Sequence, residues 1–288
     1  MSMHVLVIAD MEDDDLLALE KARDLSASFA SSFEIIKFVH YDSESELAID
    51  EFVVIQEQRL DDNIRAVFDD TTHIQRRIVT REILDEWIVD RCENHHAHID
   101  LVIKSGHRTE SLFHTPTDWL LIRHLSCPIL IATHTKWKSS PNILMTIDLA
   151  HADSLHNRLN EKTLEWGQAW SNATHTQLHA LYSIPIARPL LELDIVDKHE
   201  VEAKEAPDAL KQLTAYLQDH GLLEITCHTP AGPPEKTIPH LAGELHSDLV
   251  VMGCVGREGL TGFLFGNTAE KVVHRIRTDC LIIKLPDD

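Results

Sequence analysis

At 288 residues the chain has room for one large domain or two of ordinary size. Hydrophobic residues make up 43% and charged residues 25%, a globular composition with ample material for a core. Twenty-six basic residues against 47 acidic ones leave a formal charge of −21, a field that repels phosphate backbones and argues against nucleic acid or anionic membrane as partners.

An anionic ligand would therefore have to be held by local N–H groups and a metal ion, against the global field. The five cysteines (Cys92, Cys127, Cys227, Cys254, Cys280) are scattered, mostly in apolar runs, and form no metal-type pair. They read as reduced thiols of a cytoplasmic protein. The apolar run Val5–Ala9 is too short for a signal peptide or a membrane span, and no basic leader precedes it. A cytoplasmic location and no membrane span are the expectation.

Taken in order, the chain uses one unit twice. The opening His4–Asp10 is an apolar strand ending in Asp, and it recurs 138 positions later as Asn142–Asp148. Phe33–Tyr41 pairs with Thr176–Tyr182, and Ile74–Val79 with Leu223–Cys227. Asp100–Gly106 pairs with Asp248–Gly253, and Cys127–Ala132 with Cys280–Lys284. Between them lie helical patterns. The first opens at Asp13–Asp15 with Ala18, Ala22, Leu25 and Phe29 on one face. Its counterpart starts near Ser154, with Leu155, Leu159, Trp166 and Trp170 as the stripe expected to be buried. Further helices are expected over 55–69, 82–96, 116–125, 197–220, 235–247 and 267–277. Strand and helix alternating through each half predicts an α/β fold, two tandem doubly wound five-stranded parallel sheets. The polar segment Thr133–Pro141 reads as the linker, giving a first domain over 1–134 and a second over 141–288.

The stretch Asp248–Glu270 is the most informative. An apolar strand runs into Gly253, Gly256, Gly259, Gly262 and Gly266, and an amphipathic helix follows with Ala269, Val272, Val273 and Ile276 at i, i+3, i+4, i+7. Strand, glycine loop and helix N-terminus together suit a phosphate: N–H groups approach the anion and the helix dipole favours it. Gly253-x-x-Gly256, nine residues, then Gly266 and a small polar residue resembles the nucleotide-binding signature of the universal stress protein family, with Asn267 in place of Ser or Thr and Thr268 one position later. The match extends to the tandem, E-type members through Phe113-His-Thr-Pro-Thr-Asp-Trp119, Leu159-Asn-Glu-Lys162 and Gly266-Asn-Thr-Ala-Glu270, although His114 is an insertion. The resemblance covers essentially the whole chain. It implies an adenine-nucleotide α-hydrolase-like fold in each half, the halves related by a pseudo-twofold as an intramolecular pseudo-dimer; pairing of two chains is left open.

By that resemblance, Asp148 would contact adenosine through its backbone or carboxylate. Met252 and Gly253 would line the ribose and phosphate side, and Gly256, Gly266, Asn267 and Thr268 would offer N–H groups and a hydroxyl to the phosphates. ATP, with Mg²⁺, is the expected ligand. The alternative readings stay open: Gly253 and Gly256 serve tight turns, and Asn267 is a helix cap. The first half keeps one glycine, Gly106, where the second has five, so its site is degenerate; Thr115, Pro116 and Thr117 suit a helix start.

No catalytic residue and no metal ligand is assigned. His95-His96-Ala97-His98 reads as solvated surface, since adjacency in sequence does not supply converging zinc ligands. The His-x-Gly-His motif of adenylyl-transferring relatives is missing near the first strand; Ser105-Gly-His107 follows the fourth instead. The function expected is therefore a nucleotide-binding regulatory or adaptor protein in stress response, with at most weak ATP hydrolysis. The alternative is a binding module without nucleotide that takes an amphiphilic small molecule, for which Leu260, Phe263, Leu264 and Phe265 offer apolar surface, or a protein partner.

Overall fold

Apolar runs bounded by charge become the central parallel strands, buried on both faces because each return to the sheet is made by a helix. The computed structural model describes residues 2–9, 16–42, 47–69, 72–80, 83–94, 98–106, 117–133, 136–138, 142–255 and 267–285. The chain forms two compact units, Met1–His134 and Thr135–Leu285.

In the first unit the described elements are β1 (Ser2–Ala9), α1 (Leu17–Ser26), β2 (Ala30–Phe38), α2 (Ile49–Val67), β3 (Ile74–Val79), α3 (Leu84–Asn94), β4 (Leu101–Ser105), α4 (Thr117–His124) and β5 (Ile129–Ala132). The strands are parallel in the order β3-β2-β1-β4-β5. The second unit holds β6 (Ile143–Thr146), α5 (Ser154–Thr174), β7 (Leu178–Leu181), α6 (Arg188–Glu192), α7 (Lys198–Asp219), β8 (Thr226–His228), α8 (Pro234–Glu244), β9 (Leu249–Gly253), α9 (Asn267–Arg275) and β10 (Asp279–Ile283). Its strands are parallel in the order β10-β9-β6-β7-β8. Each order reverses beside the unit's first strand. Right-handed crossovers then place α1 and α2 on one face and α3 and α4 on the other, the doubly wound arrangement; α1 packs with α2, and α3 with α4, in the first unit.

The repeat extends to a specific contact. Asp100 Oδ2 accepts the His4 N–H (2.8 Å), while the Asp100 N–H donates to His4 O (2.9 Å). Asp248 Oδ2 likewise accepts the Asn142 N–H (3.1 Å), and its own N–H donates to Asn142 O (2.9 Å). In both units one aspartate thus ties the start of the first strand to the start of the fourth.

Three expectations need correction. Leu155 is 37% exposed, because the first turn of α5 overhangs the sheet; the buried stripe is Leu159, Thr163, Trp166 and Trp170. The five-residue helix α6, opened by Pro189, gives too short a pattern to be read from periodicity. The segment read as linker is, over 136–138, docked on the second unit. Trp137 stacks edge-on against Trp170 at 5.4 Å and donates to Asp279 Oδ2 (2.5 Å), while Lys138 Nζ reaches His246 O (2.7 Å) and Asp248 (3.4 Å). Asp13–Asp15 and His95–Ala97 lie outside the described residues.

The first unit buries charge in its core. Arg91 of α3 forms a fork on Glu34 of β2, with both side chains almost fully enclosed. Lys104 of β4 pairs with Asp118 of α4 at 2.6 Å and also donates to Ser105 O (2.8 Å). Asp118 belongs to the Phe113–Trp119 stretch, so that aspartate has a structural partner. Its removal would strand a buried ammonium, a loss of about 3–5 kcal/mol. Asp118→Ala should therefore lower the urea midpoint sharply, and adding Lys104→Met should recover part of the loss; equilibrium unfolding followed by circular dichroism reads both.

Candidate functional site

In the second unit the strand order reverses between β6 and β9, and the carboxyl ends of these two strands border the crevice where open α/β sheets take their ligands. Thr146 of β6 is level with Met252 of β9, so Asp148, two residues past Thr146, and Gly253, one past Met252, emerge on the same edge. The chain returns as α9 at Asn267, opening on that edge because α9 links β9 to the parallel β10.

Asp148 is held from four sides. The side chain of Asn160, itself buried in α5, accepts the Asp148 N–H at Oδ1 (3.0 Å) and donates from Nδ2 to Asp148 O (2.8 Å). Asn160 belongs to the Leu159–Lys162 stretch, and its role is to fix how β6 leaves the sheet. Asp148 Oδ1 accepts from the Ala150 N–H (2.9 Å), and Oδ2 lies 2.8 Å from His151 Nδ1. Asp153 caps α5: its Oδ1 accepts the His156 N–H (3.0 Å) and its Oδ2 meets His156 Nδ1 (2.7 Å). Those hydrogen bonds from His156 hold the Asp153 carboxyl below the usual carboxylate range. Nearby, burial first, and then the negative charges of Asp148 and Glu205, push the Tyr182 phenol up.

The other residues assigned from sequence divide by position. Gly253 ends β9 under α5: a Cβ there would sit 3.2 Å from Leu159 Cβ, so the glycine admits the helix to the sheet. The Met252 side chain is buried in the core. Thr268 is exposed in the first turn of α9, the end where an anion is favoured, and Asn267 begins that helix. Gly256 and Gly266 lie outside the described residues. The structure thus brings Asp148, Gly253 and the start of α9 to one edge of one sheet. Sequence reasoning missed His151, His156 and Asp153; the signal was present in the spacing Asp-x₂-His-x-Asp-x₂-His across a strand end and a helix start.

A separate cavity of about 700 Å³ lies beside β8, between α7 and α8, away from the β6–β9 crevice. Leu191, Ala206, Pro230, Pro233 and Leu241 give it apolar walls, and Lys198 stands among its polar groups. His228, on its wall, places Nε2 3.1 Å from His179 Nδ1, within hydrogen-bond reach of the other ring.

The fold and site define a class: an α/β protein with a switch-point crevice flanked by a glycine-bearing strand end and a helix start. The family model described as Universal stress protein family matches residues 143–284. Universal stress protein E of Salmonella typhi is 35% identical over 66% of this chain, and the chain spans 62% of that relative's length. A universal stress protein E homolog of Haemophilus influenzae is 30% identical over 73% of this chain and 70% of its own. A crystal structure of a protein of unknown function from Pseudomonas aeruginosa PAO1 shares the fold at a TM-score of 0.69, with 22% identity, covering 98% of this chain and 92% of that one. The chain belongs to the universal stress protein family, as an E-type member. No helix among the described residues is long and apolar enough to cross a membrane.

The His179–His228 pair makes a prediction about pH. Burial lowers both imidazoles, and for His179 the charge of His228 lowers it further. Between the lowered folded values and the ordinary value near about 6.5, the unfolded chain binds more protons. Stability contributed by the neutral pair is therefore present above about pH 6.5 and is lost as pH falls through that range. The urea midpoint should drop between pH 7.5 and 5.5, and His228→Gln should flatten that drop relative to the wild-type chain.

Proposed function

We propose that this protein serves in stress response as a nucleotide-binding regulatory or adaptor protein, with ATP and Mg²⁺ at the carboxyl edge of β9. The observation that supports this reading is the meeting of Asp148, Gly253 and the start of α9 at the switch point between β6 and β9. The β9–α9 connection carries Gly256, Gly259, Gly262 and Gly266, residue types that let backbone N–H groups approach phosphate. Thr268 would add a hydroxyl in the first turn of the helix. With a net charge of −21, affinity would rest on those donors and on Mg²⁺ rather than on the protein's field. The reading includes a cytoplasmic location and at most weak ATP hydrolysis.

The cavity beside β8 favours a second reading, an amphiphilic small molecule held between α7 and α8. Its apolar walls would take the tail and Lys198 an anionic head.

The two readings separate in one experiment, mass spectrometry of whatever leaves the purified protein on denaturation, paired with an ATP titration. Adenine nucleotide with micromolar rebinding supports the first reading, and a lipid-like species supports the second. Gly256→Val should abolish ATP binding with an unchanged melting temperature; equal affinity in that variant overturns the assignment to the glycine segment.

A further inference from the structure

Asp148, His151 and His156 each offer one donor atom, and these three atoms lie within 4.8 Å of one another. The geometry points to a site for a divalent transition-metal ion of the zinc type, held by two imidazoles and one carboxylate with the remaining positions left to water. The inference goes beyond nucleotide binding and does not rest on it.

Three observations carry it. The first is convergence. Asp148 Oδ2 lies 2.8 Å from His151 Nδ1 and 3.9 Å from His156 Nε2. The two imidazole rings are stacked, with centroids 4.6 Å apart and planes at 19°, so both present a nitrogen to the same carboxylate oxygen. Tetrahedral zinc with ligand bonds near 2.05 Å needs about 3.3 Å between donor atoms. The His151 contact would open by about half an ångström, and the wider separations would close.

The second is a supporting shell of the kind metal-binding histidines use. Asp153 Oδ2 holds His156 Nδ1 at 2.7 Å, which turns Nε2 towards Asp148. A carboxylate on the far nitrogen fixes the tautomer and raises the basicity of the ligating one. Asp153 Oδ1 is spent on the His156 N–H, so the carboxylate that orients the ligand also caps α5.

The third is that the carboxylate ligand is fixed in place. Asn160 grips both backbone groups of Asp148, and the Ala150 N–H takes Oδ1 and leaves Oδ2 facing the imidazoles. The positive end of α5 works against a cation here. The charges of Asp148 and Asp153, with a protein net charge of −21, offset it.

Two imidazoles and a carboxylate select among divalent ions: nitrogen donors suit zinc, cobalt and nickel and disfavour calcium and magnesium. With three protein ligands from one nine-residue segment, the site keeps open positions.

The test uses the full chain stripped with a chelator and titrated with Zn²⁺ alone, without nucleotide, against a competing chromogenic chelator. With 20 histidines in the chain, weak uptake elsewhere is expected, so the readout is the tight equivalent. The wild-type chain should bind one, and His151→Gln and His156→Gln should each lose it. Asp153→Asn keeps an oxygen acceptor for the α5 cap and replaces the charged acceptor behind His156 Nδ1 by a neutral amide. It should weaken Zn²⁺ tenfold to a hundredfold while the melting temperature of the metal-free protein stays unchanged. Co²⁺ should give a visible absorption band that the His156→Gln chain lacks. The inference is overturned if the wild-type chain has no tight equivalent, if the His151→Gln/His156→Gln double variant retains it, or if Asp153→Asn leaves the affinity unchanged.

Discussion

The side-chain amide of Asn160 bridges the two backbone groups of Asp148, and the carboxyl edge of the second unit is arranged around that bridge. A strand leaving a parallel sheet has backbone groups that the ladder no longer pairs, and they must be satisfied locally. Here a buried residue of the following helix satisfies them, which couples the direction of the chain after β6 to the seating of α5. Gly253 eases the seating of α5, because a Cβ there would lie 3.2 Å from Leu159 Cβ and the helix would have to give by a few tenths of an ångström. Strand end, helix and glycine therefore constrain one another, and the groups exposed on that edge inherit their positions from this packing.

The two units solve the same architectural problem, and charge is buried in both interiors. The first buries Glu34 with Arg91 and Lys104 with Asp118, each pair joining a strand to a helix. Such pairs contribute little net stability, since desolvation offsets attraction, but either partner left alone is costly. They therefore act as registry devices, favouring the packing in which each charge meets its partner. The second unit also buries charge, at Asp248, Asp279 and Lys284 among others, and carries a further polar network at the rim, where Asp148, His151, Asp153 and His156 remain within reach of solvent.

The central strands were legible because each is an apolar run bounded by charge, a signal contained in a handful of adjacent residues; the edge strands β3 and β8 are not. The described strands overlap the expected ones, but β8 begins at Thr226, three residues after the expected Leu223, which is 76% exposed. Long helices were legible for the same reason, whereas α6 is too short to show a period and Leu155 lies where a helical stripe passes beyond the sheet. Of the site, sequence placed Asp148 and Gly253 on one edge through the order of the elements. What it could not show is which donor each carboxylate oxygen takes. His151 and His156 meet Asp148 only because a loop turns between β6 and α5, and such a turn has no periodicity to read. The buried pair Glu34–Arg91 was hidden for a related reason: its partners stand 57 residues apart and meet only when α3 folds over β2.

The aspartate that ties the fourth strand to the first in each unit uses backbone groups at the far end, with His4 in one unit and Asn142 in the other. A clasp that addresses only the main chain is indifferent to the side chain it holds. After a gene duplication, such a joint lets one copy accumulate substitutions without losing its alignment. Ancestry can then persist in the geometry of a half whose letters have drifted past easy comparison.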